Sequence, residues 1–541
     1  MPPCAPCVRL GLVQRASLVA AVIALGSSAL CAQLPPDGAA SAPIFREDLG
    51  RSYLRLERAL AQARGLPAAL RSRVNRLFDR ASMSLYGRWK SRAVELIDQA
   101  WLLVTANSPG AAGERPGDQQ QYLQTLRAAV AVRAEPEPFL LRFDRAGASR
   151  GPTPQLRLRL LRPWTDNADA AVPVQLRIQM QGRVLLQQPC VVRSDRVEPA
   201  VVSLQGLTPF AGRARILLTG GALREPVEIG VLQASRRSLE QVQQRTLATL
   251  AAVAARQRTS GRPLPKGLSL AASICRSRAR LLTDTPSPDV TAHFLLDLAQ
   301  LAREVEQEAQ AVEAGRNPYR LREGDLWLEL PVRGAVIPAR LYASPKAVHT
   351  HPAPLIIALH GAGGDESLFM EGYGAGRLRD LAREKGFLLL TPRTNPFLEG
   401  SRQALDDMLD ALEQLYAVDR QRVYVMGHSL GAGVAATLAR TASDKVAACV
   451  CFAGGGGWAG LTAAPGSIAP TRVFAGALDP IIPARGTLAA AQDAHKRGLP
   501  VEWTMLPAAG HTLFVGRVLD EAVDWLLQRR LGPSSDAASA R

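Results

Sequence analysis

The sequence is poor in aromatic residues and in clusters of basic residues, and both shortages argue against a nucleic-acid-binding protein. Aromatic residues make up 5% of the 541 positions, and arginine outnumbers lysine 59 to 6 along the whole chain. No run of basic residues is interleaved with aromatic ones, as a nucleic-acid-binding surface would require. The formal net charge of +17 gives only nonspecific attraction without such a patch. We therefore expect no nucleic-acid partner.

Cysteine is also scarce, and the spacing of the seven cysteines matches no metal-binding motif. Cys449 and Cys451 share one face of a predicted strand and are expected to be buried thiols. A disulfide between Cys190 and Cys275 is compatible with an oxidising compartment, but nothing in the sequence requires it. We expect no metal and no cofactor.

No apolar run reaches the ~20 residues that a membrane-spanning helix needs. The run at residues 16–25 follows two arginines and precedes small residues, an arrangement typical of a secretory signal cleaved after Cys31 or Ala32. A retained membrane anchor is the alternative. The sequence therefore predicts a signal peptide at 1–32 and a mature protein in the periplasm or outside the cell, without stable membrane insertion.

The period of the apolar residues changes along the chain and divides it into regions. Steps of three and four residues predict helices, whereas short alternating runs between turn residues predict strands of a small antiparallel sandwich. We expect the two helical regions to pack together, with the β module inserted between them. The predicted boundaries are a linker at 33–43, helices at 44–135, a β-sandwich-like module at 136–235, helices at 236–318, an α/β domain at 320–531 and a disordered tail at 532–541.

The C-terminal α/β domain is predicted to contain a mostly parallel eight-stranded sheet. A short turn at Arg333-Gly334 joins the first two strands, and helical stretches separate most of the others. Strands that alternate with helices form parallel sheets that are covered on both faces. The predicted strands are 325–331, 336–342, 354–359, 387–391, 422–426, 447–452, 471–476 and 501–506.

A candidate nucleophile lies where one of these strands passes into a helix. Residues 427–431 (Gly-His-Ser-Leu-Gly) follow an apolar strand and precede an alanine-rich helix. A serine at such an elbow has strained backbone geometry, and the flanking glycines allow close approach of the neighbouring chain. The same G-x-S-x-G pattern surrounds Ser149, but Pro152 and Pro154 prevent a helix from following it. We therefore take Ser429 as the nucleophile.

A serine hydroxyl needs a base to remove its proton, and on sheets with this elbow the acid and then the histidine follow the serine. His511 lies in a loop after the last strand, whereas His495, the other histidine in this part of the chain, lies on a helix. Asp479 ends a strand and can face the His511 loop, where it would fix the imidazole tautomer. It is the best placed of the acidic residues between Ser429 and His511, which are Asp444, Asp479, Asp493 and Glu502.

Two backbone N–H groups are needed for the oxyanion that forms during acyl transfer. One is expected from Leu430, directly after the nucleophile. The other is expected from Ala362, with Gly361 or Gly363 as alternatives, in the glycine-rich loop after the third strand. His360 is expected to brace this loop rather than to act as a base.

These motifs resemble those of extracellular polyhydroxybutyrate depolymerases and feruloyl or acetylxylan esterases, which have the α/β-hydrolase fold. The prolyl oligopeptidase catalytic domain is nearly as similar. The resemblance rests on residues 360–364 (His-Gly-Ala-Gly-Gly), 427–431, Leu478-Asp479 and Gly510-His511, and covers about 210 residues. It implies a serine hydrolase that cleaves small or polymeric esters through an acyl-enzyme. Serine as the nucleophile argues against dienelactone hydrolases, which use cysteine.

Three functions remain open from the sequence. They are an ester hydrolase, a peptidase of the prolyl oligopeptidase type, and a non-catalytic binding protein on a hydrolase scaffold. The glycine-rich segment 454–461, between the sixth and seventh predicted strands, is too short for a large helical cap. This predicts an open site, lined by Trp458, that bulky or polymeric esters can reach. Packing of Trp458 at the sheet edge is the alternative.

Overall fold

A computed structural model describes residues 42–63, 65–107, 116–143, 153–261, 264–349, 352–394, 401–461 and 467–532. The predicted signal peptide, most of the predicted linker and nearly all of the predicted tail lie outside these residues. So does Ser149, the serine of the second G-x-S-x-G pattern.

Four helices come first and share a core with the β module that follows. They are α1 (Arg46–Gln62), α2 (Ala68–Tyr86), α3 (Lys90–Ala106) and α4 (Pro116–Val130). Their apolar stripes meet at residues such as Leu56, Val74 and Ile97, which are at most 3% exposed. The same apolar cluster continues into buried side chains of the β module, such as Leu176 and Ile216.

The β module consists of two sheets, and its first strand begins at Val132, four residues before the predicted boundary. β1, β3 and β7 form a three-stranded antiparallel sheet, and the other six strands are ordered β2-β9-β8-β4-β5-β6. The strands are β1 (Val132–Glu137), β2 (Leu140–Arg142), β3 (Gln155–Leu160), β4 (Ala171–Met180), β5 (Arg183–Arg193), β6 (Val197–Glu198), β7 (Val201–Ser203), β8 (Gly212–Thr219) and β9 (Val227–Ser235).

The second helical region packs on the C-terminal sheet. Its helices are α5 (Leu239–Ser260), α6 (Lys266–Ala279), α7 (Thr291–Leu295) and α8 (Leu298–Glu313). Apolar residues of α5, α6 and α8 belong to the same cluster as the first strands of that sheet. The two helical regions therefore belong to different cores and touch where α7 meets α1, which differs from the expectation that they pack together.

The C-terminal sheet has eight strands in the order β10-β11-β13-β12-β14-β15-β16-β17. Within this sheet, β11 runs opposite to the other seven strands, which all point the same way. This confirms the mostly parallel eight-stranded sheet predicted from the alternation of strands and helices. The strands are β10 (Gly324–Val332), β11 (Ala335–Ala343), β12 (Ala353–Leu359), β13 (Leu388–Pro392), β14 (Val418–His428), β15 (Ala448–Phe452), β16 (Thr471–Gly476) and β17 (Val501–Leu506).

Helices cover both faces of this sheet, because its central strands are apolar on both sides. All residues of β12 and β15 are buried. Two short helical turns, Leu368–Gly372 and Tyr373–Ala375, follow β12. The helices are α9 (Pro345–His349), α10 (Arg377–Lys385), α11 (Arg402–Glu413), α12 (Leu430–Thr441), α13 (Ala484–Lys496) and α14 (Val515–Leu527).

The four cysteines in the described ranges are free and buried. Cys190 and Cys275 do not pair, and the sulfur atoms of Cys449 and Cys451 are 3.8 Å apart. Among the helices of the described ranges, none combines the length and the apolar composition needed to cross a membrane.

The first helix also contacts the C-terminal domain through a buried carboxylate. Glu57 on α1 is 2% exposed, and its Oε2 accepts a hydrogen bond of 3.1 Å from the Gly374 N–H. Burial removes hydration from the charged form and raises the pKa of Glu57 from 4.5 to about 7. The interface between the two regions therefore contains a group that titrates near neutral pH.

Glu57→Gln should flatten the dependence of stability on pH. The folded wild-type chain keeps a proton on Glu57 that the unfolded chain releases above pH 4.5, so the free energy of unfolding falls between about pH 4.5 and pH 7. The variant lacks this loss. The difference in the free energy of unfolding between the variant and the wild type should therefore be up to about 3 kcal/mol larger at pH 8 than at pH 4, in favour of the variant. Urea unfolding across this range measures the difference.

The control is Glu225→Gln at an exposed position, which should leave the pH dependence as in the wild type. Equal pH dependence of Glu57→Gln and the wild type would show that Glu57 does not titrate within this window.

Candidate active site

Ser429 lies in a sharp turn between β14 and α12, as the motif predicted. Its backbone angles are φ 54° and ψ −115°, a conformation that non-glycine residues rarely adopt. Its N–H donates to the carbonyl oxygen of Phe452 on the neighbouring strand, at 2.9 Å. The strained turn holds the serine at the carboxyl edge of the sheet.

The glycines on either side of Ser429 are required by close contacts of the backbone. A Cβ atom at Gly431 would lie 2.0 Å from the carbonyl oxygen of Leu359, and one at Gly427 would lie 2.1 Å from the carbonyl oxygen of Gly431. Real Cβ atoms essentially never come this close to another atom. The sequence pattern therefore has a direct steric cause at this turn.

Asp479 and His511 form a buried pair. Oδ2 of Asp479 lies 2.7 Å from Nδ1 of His511, and both side chains are at most 2% exposed. The other oxygen of Asp479 accepts the N–H groups of Ile481 at 2.8 Å and Ile482 at 2.9 Å. This fixes the carboxylate, and it places a proton on Nδ1 of His511 and leaves Nε2 as the acceptor.

The other acidic residues considered are engaged elsewhere on the surface. Asp444 pairs with Arg402, Asp493 with Arg497 and Glu502 with Arg529. His495 lies on α13 and contacts the carbonyl oxygen of Val501 through Nδ1 at 3.1 Å.

Ser429 and His511 line the same cavity, but they form no hydrogen bond. Nε2 of His511 is buried and has no hydrogen-bond partner among the described residues. In unliganded sites such contacts are often long and tighten only around the substrate. The imidazole thus has an unoccupied acceptor beside the cavity that contains the serine.

The glycine-rich loop after β12 lies against the nucleophile. A Cβ atom at Gly361 would lie 3.2 Å from Cβ of Ser429, and Ala362 is an exposed residue of the cavity wall. Leu430, the other residue expected to donate an N–H, is the first residue of α12. The convergence of these two N–H groups on one oxyanion stays a prediction.

His360 braces this loop, as expected. It is 4% exposed, its Nδ1 lies 2.8 Å from the Gly361 carbonyl oxygen, and its Nε2 accepts the Thr394 N–H at 3.1 Å. The Thr394 contact leaves the ring proton on Nδ1, which donates to Gly361. Burial lowers the pKa of His360, so the ring is neutral and both nitrogens are used structurally.

His428, next to the nucleophile, makes buried contacts at this site that the sequence analysis did not predict. Its Nδ1 lies 2.7 Å from the Tyr373 hydroxyl and its Nε2 lies 3.0 Å from the carbonyl oxygen of His511. Burial, followed by the nearby His511, lowers the pKa of His428 well below its ordinary value. The neutral ring therefore donates from Nε2 to His511 and accepts from Tyr373.

A second missed contribution comes from α2, more than 400 positions before His511. Oδ1 of Asp79 accepts the His511 N–H at 3.0 Å. Asn75 accepts the Gly510 N–H at 3.0 Å and donates to the carbonyl oxygen of Ala508 at 3.2 Å. No local sequence signal distinguishes these two polar positions, because their partners lie so far along the chain.

The cavity beside Ser429 has a volume of about 400 Å³, and we call it the apolar cavity. The helices α1, α2, α3 and α7 form much of its wall, opposite the loop of Gly361 and Ala362. Ser429 is only 9% exposed and His511 only 2%. Both lie below the surface, but wall residues such as Leu85 and Tyr86, which are 37% and 40% exposed, leave the cavity open to solvent. Access by bulky or polymeric esters stays a prediction.

Trp458 does not line the apolar cavity. Its side chain is 1% exposed and packs in the core beneath the sheet, beside Gly455. The expectation of a substrate-binding Trp458 was wrong, and the alternative of simple packing is what the structure contains. A glycine-rich loop and a tryptophan give no sequence signal for which side of the loop the ring faces.

The described residues contain no group of three or more histidine, cysteine, aspartate or glutamate side chains arranged to hold a metal ion. Asp479 and His511, which are residue types that commonly bind metals, are engaged with each other.

The comparisons with known proteins agree with this architecture. The model of the dienelactone hydrolase family matches residues 378–521, about a quarter of the chain, and this match includes Ser429, Asp479 and His511. The C-terminal region is an α/β-hydrolase domain. No curated protein sequence matches the chain.

Several solved structures resemble the α/β-hydrolase domain at low identity. A thermostable esterase is 20% identical over 38% of this chain and 63% of its own, with a TM-score of 0.31. An S-formylglutathione hydrolase from Agrobacterium tumefaciens is 19% identical over 38% and 95%, with a TM-score of 0.32. A feruloyl esterase module from Clostridium thermocellum is 13% identical over 38% and 89%, with a TM-score of 0.30. Likenesses this distant carry no argument about activity.

Two glycines of this elbow provide a matched test of its geometry. Gly431→Ala should lower the free energy of unfolding by at least about 2 kcal/mol, because its Cβ would overlap the Leu359 carbonyl group. Gly433→Ala, two residues further along α12 with nothing within 4 Å of the added atom, should raise it by about 0.5–1 kcal/mol. Urea unfolding measures both, and similar values for the two variants would contradict the steric account.

Proposed function

We propose that the protein is an exported serine hydrolase that cleaves carboxylic esters, with Ser429, His511 and Asp479 as its catalytic triad. The observation that carries the proposal is the buried 2.7 Å contact between Asp479 and His511. The imidazole has a free Nε2 beside the cavity that contains the strained Ser429. A histidine oriented by a carboxylate and adjacent to a serine at an elbow is the arrangement that activates a hydroxyl nucleophile.

In the first step, the Ser429 hydroxyl oxygen attacks the carbonyl carbon of the ester. Nε2 of His511 takes the hydroxyl proton, and Asp479 stabilises the imidazolium through Nδ1. The N–H groups of Ala362 and Leu430 stabilise the oxyanion of the tetrahedral intermediate. Nε2 then returns the proton to the departing alcohol, which leaves an acyl group on Ser429.

In the second step, water attacks the acyl-enzyme and loses a proton to His511. Collapse of the second tetrahedral intermediate releases the carboxylic acid, and His511 returns the proton to Ser429. Every proton movement uses one nitrogen, Nε2, so this chemistry needs neither a metal nor a cofactor from the protein.

The motifs resemble those of polyhydroxybutyrate depolymerases, and the cavity beside Ser429 is open to solvent. The proposal therefore covers small and polymeric esters alike. The serine nucleophile separates the proposed activity from dienelactone hydrolysis, despite the match to that family's model.

A fluorophosphonate probe and a substrate panel test the proposal. The probe should label the full-length protein, and Ser429→Ala should abolish labelling and lower ester turnover at least about 1,000-fold, because the nucleophile is lost. Ser149→Ala, which alters the other G-x-S-x-G pattern, is the matched control and should keep full labelling.

The panel compares p-nitrophenyl esters with proline-containing peptide amides. Ester turnover that depends on Ser429 supports the proposal. Preferential cleavage of the peptides would replace it by a peptidase, and neither labelling nor turnover by the folded wild-type protein would leave a non-catalytic binding protein. Cell fractionation tests the proposed export separately.

A further inference from the structure

The chain preceding the α/β-hydrolase domain builds the wall of the apolar cavity. α1 contributes Leu49 and Leu54, α2 contributes Phe78 and Leu85, and α3 contributes Ile97. α7 adds Phe294, 6% exposed, from the second helical region. A hydrolase domain separated from these helices would have lost this side of its cavity.

The chemistry of the wall is that of a hydrocarbon-binding site. Most of its side chains are aliphatic or aromatic, and burying an apolar group against them removes it from water. The charge of Arg46 is compensated by Asp365, whose Oδ2 lies 2.8 Å from its Nη2 and also accepts the Thr291 hydroxyl proton at 2.6 Å. Lys90 is exposed at the edge. Glu371 also lines the cavity, and its charge is compensated by Arg340 and Arg379. A charged substrate group would therefore find no unpaired buried charge among these groups.

We propose that the N-terminal helices select uncharged esters that carry a hydrocarbon group on one side of the carbonyl, and that this group occupies the apolar cavity. This inference rests on the proposed ester hydrolysis by Ser429. The bound ester places its carbonyl carbon at Ser429, between the loop of Gly361 and the His511 imidazole, with its hydrocarbon group against Leu85 and Ile97.

Two ester series test the proposal. p-Nitrophenyl esters of increasing acyl length vary the acid side, and acetates of increasing alcohol length vary the other side. In one of the two series, kcat/KM should rise about fourfold per added methylene until the cavity is filled, the value expected when each CH₂ leaves water. The series that shows the rise identifies which half of the ester the cavity binds.

Leu85→Asp places a charge on the wall without disturbing the core, because Leu85 is 37% exposed. It should reduce the preference for the longest over the shortest ester of that series roughly tenfold. Val184→Asp is the matched control, since Val184 is 43% exposed, lies in the β module and does not line the apolar cavity. It should keep the preference of the wild type.

A flat length dependence in both series, or a preference for charged esters, would overturn the inference while ester hydrolysis by Ser429 still stood. An unchanged preference in Leu85→Asp would overturn it as well. Failure of the proposed function is distinct, because the wild-type protein would then cleave no ester of either series or would cleave the proline-containing peptides in preference to esters.

An independent observation concerns the loop that carries His511. Asn75 and Asp79, one turn apart on α2 and 4% and 3% exposed, bind three of its backbone groups. A Cβ atom at Gly510 would lie 2.1 Å from Oδ2 of Asp79, so the loop backbone lies directly against the carboxyl group. Leu513 of the same loop belongs to the core of the N-terminal helices and the β module.

His511 is thus held at both of its backbone groups by side chains from different regions. Asp79 accepts its N–H at 3.0 Å, and His428 contacts its carbonyl oxygen at 3.0 Å. Burial raises the pKa of Asp79 from 3.8 to about 7, so the carboxyl group is largely neutral below pH 7, where an amide with the same accepting oxygen is a close substitute.

We infer that Asn75 and Asp79 are positioning residues for the proposed general base, so that the N-terminal helices complete the active site. A displacement of about 1 Å from the reacting geometry can cost 100-fold in rate. Asp79→Ala should therefore lower kcat roughly 10- to 100-fold, with KM within about twofold of the wild type. Asp79→Asn should recover most of kcat, because its amide oxygen still accepts the His511 N–H.

Steady-state kinetics on the full-length chain and urea unfolding of each variant separate positioning from stability. Ser72→Ala, on α2 but without a contact to the loop, should keep the wild-type kcat. If Asp79→Ala does not fold, Asn75→Ala gives the same measurement. A wild-type kcat in folded Asp79→Ala, or in Asn75→Ala if Asp79→Ala does not fold, would overturn the inference. An Asp79→Asn variant as slow as Asp79→Ala would overturn it as well.

Discussion

The site depends on one constraint above all, which is that the His511 side chain and backbone are held from three directions at once. Asp479 binds Nδ1 at 2.7 Å, His428 contacts the carbonyl oxygen and Asp79 accepts the N–H. The loop carrying His511 has no regular secondary structure to fix it. Its geometry must therefore come from side chains on other elements, and these side chains come from both ends of the chain.

Because of this dependence, the long N-terminal part of the chain is structurally required at the site of the C-terminal domain. Helices α1–α4 form one core with the β module and include Leu513 of the α/β-hydrolase domain in that core. The same helices line the apolar cavity beside Ser429. The proposed substrate selection and the placement of the proposed base thus share one interface, since both require the helices to lie against the carboxyl edge of the sheet.

Two buried carboxyl groups, Glu57 and Asp79, lie at this interface and face backbone N–H groups of the domain. Burial raises the pKa of each to about 7, because a charge in an apolar surrounding lacks hydration. Each pairs a main-chain donor that would otherwise be buried without a partner, which costs about 1–3 kcal/mol. The interface therefore uses polar contacts to fix its register and apolar contacts to line the cavity.

The sequence alone determined the eight-stranded sheet, the elbow at Ser429 and the choice of Asp479 and His511, because strand periodicity, glycine sterics and chain order are local or sequential signals. It did not determine the contacts of Asn75, Asp79 and His428 with the His511 loop, nor the burial of Trp458. Those depend on which surfaces meet after folding, and a contact such as Asp79 to His511 joins residues 432 positions apart. No sequence pattern within either segment predicts this contact. It forms only because the N-terminal helices pack on the edge of the sheet.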